Sequence, residues 1–192
     1  AITNSNIFQL GTNIGIGTTT PNNLLSVYQL IDFNNTDYNT KIGYQAGENI
    51  VSGARNNTFL GYQAGMSSLT ASTDAADYNT AIGYRTLYSN TTGYFNSAMG
   101  GNALYSNTTG YNNSVVGRSA LYSNTTGYFN SAMGGNALYS NTTGYDNSAI
   151  GYGALYFNTT GNANAVLGYQ AGYGITGTPV ASSTIIGYRA GF

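Results

Sequence analysis

Hydrophobic residues in this chain recur within a five-residue pattern and not at a helical spacing. The pentad reads mostly Asn, then Ser or Thr, any residue, an aliphatic residue or Met, and Gly, as in Asn96-Ser-Ala-Met-Gly100. Nine copies begin at Asn39, Asn57, Asn79, Asn96, Asn113, Asn130, Asn147, Asn164 and Ser183. The intervals are 18, 22, 17, 17, 17, 17, 17 and 19 residues. The pattern therefore indicates an internal repeat with a period of 17 residues.

The segment after each central pentad repeats as well. Leu recurs at positions 87, 104, 121, 138 and 155, and Asn-Thr-Thr-Gly begins at Asn90, Asn107, Asn124, Asn141 and Asn158. Asn, Thr, Gly and Tyr are mediocre to poor helix formers. The glycine that ends Asn-Thr-Thr-Gly can take a positive φ without steric cost, which is typical of a turn. Seventeen extended residues trace about 56 Å at ~3.3 Å each, enough for two short strands and two turns.

These features predict an all-β fold, a parallel β-solenoid of the β-roll kind with coils of about 17 residues. Identical residues then stack about 4.8 Å apart from coil to coil. Asparagines in register can form amide ladders, and tyrosines in register can stack. Residues 39–192 are expected to form the solenoid with nine pentad rungs, and residues 1–38 an N-terminal adaptor.

The pentad has apolar residues on both sides of its strand. The fourth position is always apolar, and the third is apolar in all copies except that of Lys41. Neighbouring residues of a strand point to opposite faces, so we expect both faces to be buried, one of them with mostly small side chains. A single solenoid has one interior, and the second face needs a cover. A homo-oligomer supplies one, its coils approaching closely over the small side chains; an exposed apolar strip is the alternative.

The expected stacking positions are the pentad asparagine, aliphatic residue and glycine, and the recurrent leucine. In the central coils they are Asn79, Ile82, Gly83, Asn96, Met99, Gly100, Asn113, Val116, Gly117, Asn130, Met133, Gly134, Asn147, Ile150, Gly151, Leu104, Leu121 and Leu138. Tyr88, Tyr105, Tyr122 and Tyr139 follow the leucines and are candidate ligand-facing residues, since aromatic ridges can stack on sugars.

Composition narrows the possible chemistry. The 192 residues include no Cys and no His, and five Lys or Arg face six Asp or Glu. Imidazole- and thiol-based catalysis and zinc binding are therefore excluded, and we predict no enzyme activity, no cofactor and no metal site. A net charge of −1 gives no field that attracts nucleic acid. No apolar run approaches the ~18 residues of a membrane span, so we expect no membrane insertion by this segment.

The repeats resemble the head repeats of trimeric autotransporter adhesins, the YadA-like head. The likeness covers about Asn39 to Phe192 and is best at the Ala-Ile-Gly sequences of Ala81–Gly83 and Ala149–Gly151. The period of 17 is longer than that of the family, and Leu-Tyr stands where the family has Ser-x-Ala. The resemblance implies a left-handed parallel β-roll in which three chains pack around one axis.

A second stretch is similar to a segment of bacterial surface fibres and phage-type tail fibres. It begins at Asn13 and reads NIGIGTTTPNNLLSV. In the adaptor we therefore expect a strand with Ile14 and Ile16, a turn at Thr18–Asn23 and a strand at Leu24–Ile31.

Two functions follow as hypotheses. The first is a non-enzymatic structural or adhesive segment of an extracellular fibre, on a cell surface or a virion-like particle, that acts as a rigid spacer or attachment head. Its partners would be copies of itself and a glycan or cell-surface receptor. The alternative is a self-assembling filament subunit, in which residues 1–38 complete the terminal coil of the next subunit by strand addition.

Overall fold

A computed structural model describes residues 37–50, 53–66, 76–174 and 180–191, together with the strands at 7–10, 13–16, 25–26 and 31–34. Every regular element in these ranges is a β-strand. The strands are β1 (Ile7–Leu10), β2 (Asn13–Ile16), β3 (Leu25–Ser26), β4 (Ile31–Asn34), β5 (Asn39–Ile42), β6 (Thr58–Leu60), β7 (Thr80–Ile82), β8 (Ser97–Met99), β9 (Ser114–Val116), β10 (Ser131–Met133), β11 (Ser148–Ile150), β12 (Ala165–Leu167) and β13 (Thr184–Ile186).

Strands β5 to β13 are the nine pentads, and they form one parallel sheet in chain order. The register is that of the sequence repeat, with Ser131 paired to Ser114 and to Ser148 in the neighbouring strands. After each strand the chain winds back to the start of the next strand, which runs parallel to the first. The nine strands therefore define about eight turns of a parallel β-solenoid, as predicted. We number the coils 1 to 9, each from its pentad's first residue.

Each coil contains one short strand among its described residues, and in the fully described coils 3 to 7 the prediction of two strands per coil was wrong. After the pentad, the chain continues through consecutive turns in which residues with positive φ alternate with others. In coil 4 these are Gly100, Asn102 and Leu104, with φ of 128°, 58° and 51°. Their amides bond alternately to the two neighbours: Asn102 N–H donates to Tyr84 O in coil 3, and Leu104 N–H donates to Ala120 O in coil 5.

The interior is narrow and takes small side chains from the strand. The third pentad position is buried, as at Ala98 and Val115, and packs with the repeated leucines, which are fully buried at positions 87, 104, 121, 138 and 155. A leucine burial contributes roughly 1.5–3 kcal/mol per coil.

The fourth pentad position points outward, so a single chain buries one face of the strand, and burial of the second face by another chain stays a prediction. Its side chains are 41–67% exposed at Leu60, Met99, Val116, Met133, Ile150, Leu167 and Ile186. The small side chains therefore fill the solenoid itself, and they do not form the surface over which coils of different chains approach. The large aliphatic side chains form the uncovered surface.

Glycine is required at the two repeated glycine positions for different structural reasons. The pentad glycine has a positive φ, and a Cβ on Gly100 would lie 2.6 Å from Gly117 O in the next coil. The glycine of Asn-Thr-Thr-Gly has no positive φ, so that expectation was wrong. Gly110 instead makes room, since a Cβ there would meet Asn107 Oδ1 and lie 2.7 Å from Asn124 Nδ2.

In the N-terminal region, which the sequence analysis assigned to an adaptor of residues 1–38, the described strands belong to two sheets. Strands β1, β2 and β3 form a separate three-stranded sheet, in which β2 contains Ile14 and Ile16. Strand β4 pairs antiparallel with β5 and so belongs to the solenoid sheet. The predicted turn at Thr18–Asn23 lies outside the described residues, and of the strand expected at Leu24–Ile31 the described part is Leu25–Ser26 and Ile31.

Adjacent glycines provide a matched test of the coil-to-coil contact. Gly100→Ala should lower the free energy of unfolding by about 2–3 kcal/mol, because it adds both a strained φ and a backbone collision. Gly101 has no positive φ, and a Cβ there would meet no atom nearer than Tyr84 O at 3.9 Å. Gly101→Ala should therefore stay within about 1 kcal/mol of the native chain. Urea denaturation measures both, and equal losses would contradict the stacking described.

Candidate functional site

A column of buried asparagines runs along the start of the strands, and we call it the strand ladder. It comprises Asn39, Asn57, Asn79, Asn96, Asn113, Asn130, Asn147 and Asn164. Asn113 shows its bonding: Nδ2 donates to Asn96 Oδ1 at 3.0 Å and to Gly127 O at 2.9 Å, and the backbone N–H donates to Asn96 Oδ1 at 3.1 Å. Its own Oδ1 accepts the same two bonds from Asn130. Every polar group of this buried side chain is thus satisfied, by the equivalent asparagines of the two neighbouring coils and by the Gly127 carbonyl.

A second column, the turn ladder, comprises the asparagines of Asn-Thr-Thr-Gly, which are Asn90, Asn107, Asn124, Asn141 and Asn158. Asn107 Nδ2 donates to Asn90 Oδ1 at 2.8 Å and to Gly110 O at 3.0 Å. Gly110 O also accepts from Asn96 Nδ2 of the strand ladder at 2.8 Å. The glycine carbonyl therefore joins the two ladders in each central coil. The turn ladder ends at Asn141 and Asn158, whose Oδ1 atoms have no hydrogen-bond partner among the described residues.

The same burial bears on the Asn-x-Thr sequences of the turn ladder, which match the acceptor motif for N-linked glycans. Asn90, Asn107 and Asn124 are buried and engaged in the turn ladder. A glycan on these nitrogens is incompatible with the folded coil.

The predicted stacking positions fall into three environments. The pentad asparagines and the leucines Leu104, Leu121 and Leu138 lie inside. The glycines Gly83, Gly100, Gly117, Gly134 and Gly151 stack backbone on backbone at the end of each strand. Ile82, Met99, Val116, Met133 and Ile150 lie on the outer face, which we call the apolar column together with Ile42, Leu60, Leu167 and Ile186.

The candidate ligand-facing tyrosines form a continuous ladder. The ring centroids of Tyr88, Tyr105, Tyr122 and Tyr139 are 5.0–5.1 Å apart and their planes are within 6° of parallel. Tyr156 and Tyr173 extend the ladder. Because each ring covers the faces of its neighbours, no ligand ring can enter between them, and only edges and hydroxyl groups remain for contacts with solvent. Burial, followed by the neighbouring Tyr105 and Tyr139, raises the pKa of Tyr122.

The sequence analysis missed three further aromatic columns. Tyr94, Tyr111, Tyr128 and Tyr145 stack at 4.9 Å. Their signal was the tyrosine that follows Asn-Thr-Thr-Gly in four coils. Exposed aromatic residues also precede the pentad, at Tyr78, Phe95 and Phe129.

The third missed column follows the pentad glycine, and we call it the exit column. Its residues in coils 1 to 9 are Tyr44, Tyr62, Tyr84, Gly101, Arg118, Gly135, Tyr152, Tyr169 and Tyr188. The tyrosines stack in two groups of three, at centroid distances of 5.4–5.6 Å. Coils 4, 5 and 6 contribute no ring, so the ridge is interrupted at the centre of the sheet.

Comparison with protein-family models, curated proteins and solved structures finds no match to this chain. The resemblance to adhesin heads and tail fibres therefore stays a prediction. Within the described ranges, no helix has the length and hydropathy needed to cross a bilayer. In the same ranges, no three acidic side chains come together in a metal-binding arrangement.

Removing one rung of the strand ladder should be costly. Asn113→Asp keeps the shape but replaces two donors by an oxygen that faces Asn96 Oδ1 and Gly127 O, and it buries a charge. We expect a loss of at least about 3 kcal/mol in the free energy of unfolding near neutral pH. Asn162 is partly exposed and its side chain has no such bonds, so Asn162→Asp should change stability by less than about 0.5 kcal/mol. Thermal or urea denaturation compares the two, and a similar small effect at both sites would refute the ladder.

Proposed function

We propose that this chain is a non-enzymatic structural and adhesive segment of an extracellular fibre, in which copies of the chain associate through the outer face of the sheet. The observation that carries the proposal is the apolar column, a continuous line of aliphatic and methionine side chains left uncovered by the chain's own described residues. Large contiguous apolar patches on soluble proteins are usually interaction sites.

The dimensions of the face support this role. Nine strands about 4.8 Å apart make it about 38 Å long. A stable interface buries about 800 Å² on each partner, so a width of about 20 Å is needed. The exposed column of Tyr78, Phe95 and Phe129 lies four positions before the apolar column along the chain, which is about 13 Å, and the side chains of both columns widen the strip. The exit column then lies at the rim.

The surface chemistry also favours a homotypic contact. In the serine and threonine column between these two lines, Ser97, Ser114 and Ser131 are exposed and uncharged. A charge-poor face with aliphatic, aromatic and hydroxyl columns can pack against an identical face without like-charge repulsion. Three chains is the number that the resemblance implies, and the fibre role and the extracellular location rest on the same resemblance.

The oligomer is tested by light scattering on the purified chain. We expect a mass of about three times 20.1 kDa. Val116→Asp should shift the mass toward the monomer without unfolding it, since Val116 is already 43% exposed in the single chain. Thr126→Asp, an exposed residue on the turn side, should leave the mass unchanged. A native chain that is monomeric at micromolar concentration would contradict the trimer. If Thr126→Asp dissociates the oligomer as well as Val116→Asp, the interface does not lie on the apolar column.

A second candidate function, the end-to-end filament, is favoured by the asymmetry of the sheet. Its N-terminal edge is covered by β4 of the same chain, whereas β13 has no strand beyond it in the described residues. Ile186 and Tyr188 at that end are the most exposed members of their columns. A free strand edge is a site for strand addition.

Electron microscopy separates the filament from the short oligomer. If residues 1–38 of one chain complete the β13 edge of another, full-length protein should form filaments, and deletion of residues 1–38 should abolish them. A Pro at Thr184 in the edge strand gives a second, independent break, because the equivalent residue of β12, Ala165, donates its N–H to the next coil, and Pro removes that donor from the free edge. Filaments that persist in both variants would refute strand addition.

A further inference from the structure

We propose that the interruption of the exit column is a binding site for a carboxylate-bearing pyranose, such as a uronic or sialic acid residue of a polysaccharide. The site, which we call the notch, comprises Tyr84, Gly101, Arg118, Gly135 and Tyr152. The proposal deepens the attachment role proposed above, and it rests on that role for its biological meaning.

At the notch one face of a tyrosine ring is not covered by another ring, whereas in the continuous ladders neighbouring rings cover both faces. Tyr84 stacks on Tyr62 at 5.4 Å through one face, and the next residue of the column is Gly101, so no ring covers the other side. The Arg85 guanidinium carbon lies over the Tyr84 ring, 5.2 Å from its centroid, and its Nε donates to Gln63 Oε1 in coil 2, which directs this side chain toward coil 2 and not toward coil 4. A ring placed over coil 4 at the ladder spacing would continue the stack on Tyr84.

The floor of the notch is open. A Cβ on Gly101 would meet nothing within 4 Å except Tyr84 O at 3.9 Å. At the far end the notch is closed, because Tyr152 lies over Gly135, with its Cδ2 3.2 Å from a Cβ built there, and its hydroxyl oxygen accepts from Asn136 Nδ2 at 3.3 Å. The open part spans coils 4 and 5, which is about 10 Å along the axis.

A single cation lies in the open part. Arg118 is exposed, and its guanidinium makes no hydrogen bond or ion pair with the part of the chain that the structure describes. Arg118 lies in coil 5, about 4.8 Å along the axis from coil 4, where a ligand ring stacked on Tyr84 would lie above Gly101. A guanidinium binds a carboxylate through two parallel hydrogen bonds, which fixes orientation as well as sign.

The polar neighbours favour a sugar over another planar acid. Asn102 lies beside Gly101, is partly exposed, and its side-chain amide has no intramolecular partner in the described residues. A pyranose has an apolar C–H face for Tyr84 and hydroxyl groups for an amide, whereas an aromatic acid has no groups for Asn102.

Isothermal calorimetry on the full chain tests the site. The probes are oligosaccharides of glucuronic acid and of sialic acid, the methyl ester of each, and acetate. One acidic oligosaccharide should bind with a millimolar or tighter Kd, its neutral methyl ester about tenfold or more weakly, and acetate without measurable heat, since a carboxylate without a ring lacks the stack. Added salt should weaken the acidic ligand because Arg118 is exposed.

Two variants locate the binding. Arg118→Gln should weaken the acidic ligand about tenfold and leave its methyl ester unchanged. Gly101→Tyr leaves Arg118 in place but fills the notch with the missing ring. It should therefore abolish binding of both the acidic oligosaccharide and its methyl ester. Arg189→Gln, an exposed arginine of coil 9, is the control and should change the Kd less than twofold. If Gly101→Tyr fails to fold, as judged by circular dichroism, Arg118→Gln decides alone.

The outcomes separate this site from the fibre role. Absence of heat with both acidic oligosaccharides at millimolar concentration overturns the proposal, as does binding that Arg118→Gln leaves unchanged. Light scattering on the same samples reports the oligomeric state. An intact oligomer that does not bind the sugar contradicts only the proposed binding site. A monomer that binds the sugar contradicts only the proposed oligomer.

Discussion

The fold depends on one constraint, which is that each coil must present the same polar groups at the same place as the coil before it. A side-chain amide inside a narrow solenoid is costly unless both its donors and its acceptor are bonded. Here the partner of one asparagine is the asparagine of the next coil, together with a glycine carbonyl shared by the strand and turn ladders. The register of the solenoid is thus set by hydrogen bonds, whereas its small apolar core supplies the burial.

The scarcity of charge follows from the same constraint. With coils about 4.8 Å apart, a charged residue repeated in every coil would face like charges on both sides. Neutral asparagine and tyrosine stack on themselves with favourable geometry, and the chain has 19 tyrosines against 11 charged residues. Arg118 stands where the exit column has no stacked ring, so its charge has no identical neighbour.

The sequence predicted the parallel solenoid, the nine strands and the asparagine stacking, because these follow directly from the period. Two features could not be read from it. Alternation places Ala98 and Met99 on opposite faces of a strand but does not say which face is inside, and the answer depends on how much room Leu104 leaves. The second strand was expected from the length of 17 extended residues, but Leu104 has a positive φ of 51°, which is uncommon for a residue other than Gly, and its amide bonds to the next coil. Within the candidate site, the period located Tyr88 and its equivalents, but the missing rings of the exit column are visible only when the coils are aligned as stacked.

The outer and inner faces of the strand therefore have separate tasks. The inner face and the ladders make the coil rigid and regular, and the outer face leaves a line of apolar side chains that one chain alone does not cover. This division suits the proposed fibre segment, in which rigidity would come from within each chain and assembly from a surface that repeats along its length.

The central claim, that buried asparagine amides hold the coils in register, is tested most directly by hydrogen exchange of the side-chain NH₂ groups, followed by NMR on the ¹⁵N-labelled chain. We expect the Nδ2 protons of Asn96, Asn113 and Asn130 to exchange as slowly as the backbone amides of the central strands, and those of the partly exposed Asn162 to exchange rapidly. Rapid exchange at Asn113 in a chain whose strand amides are protected would contradict the account.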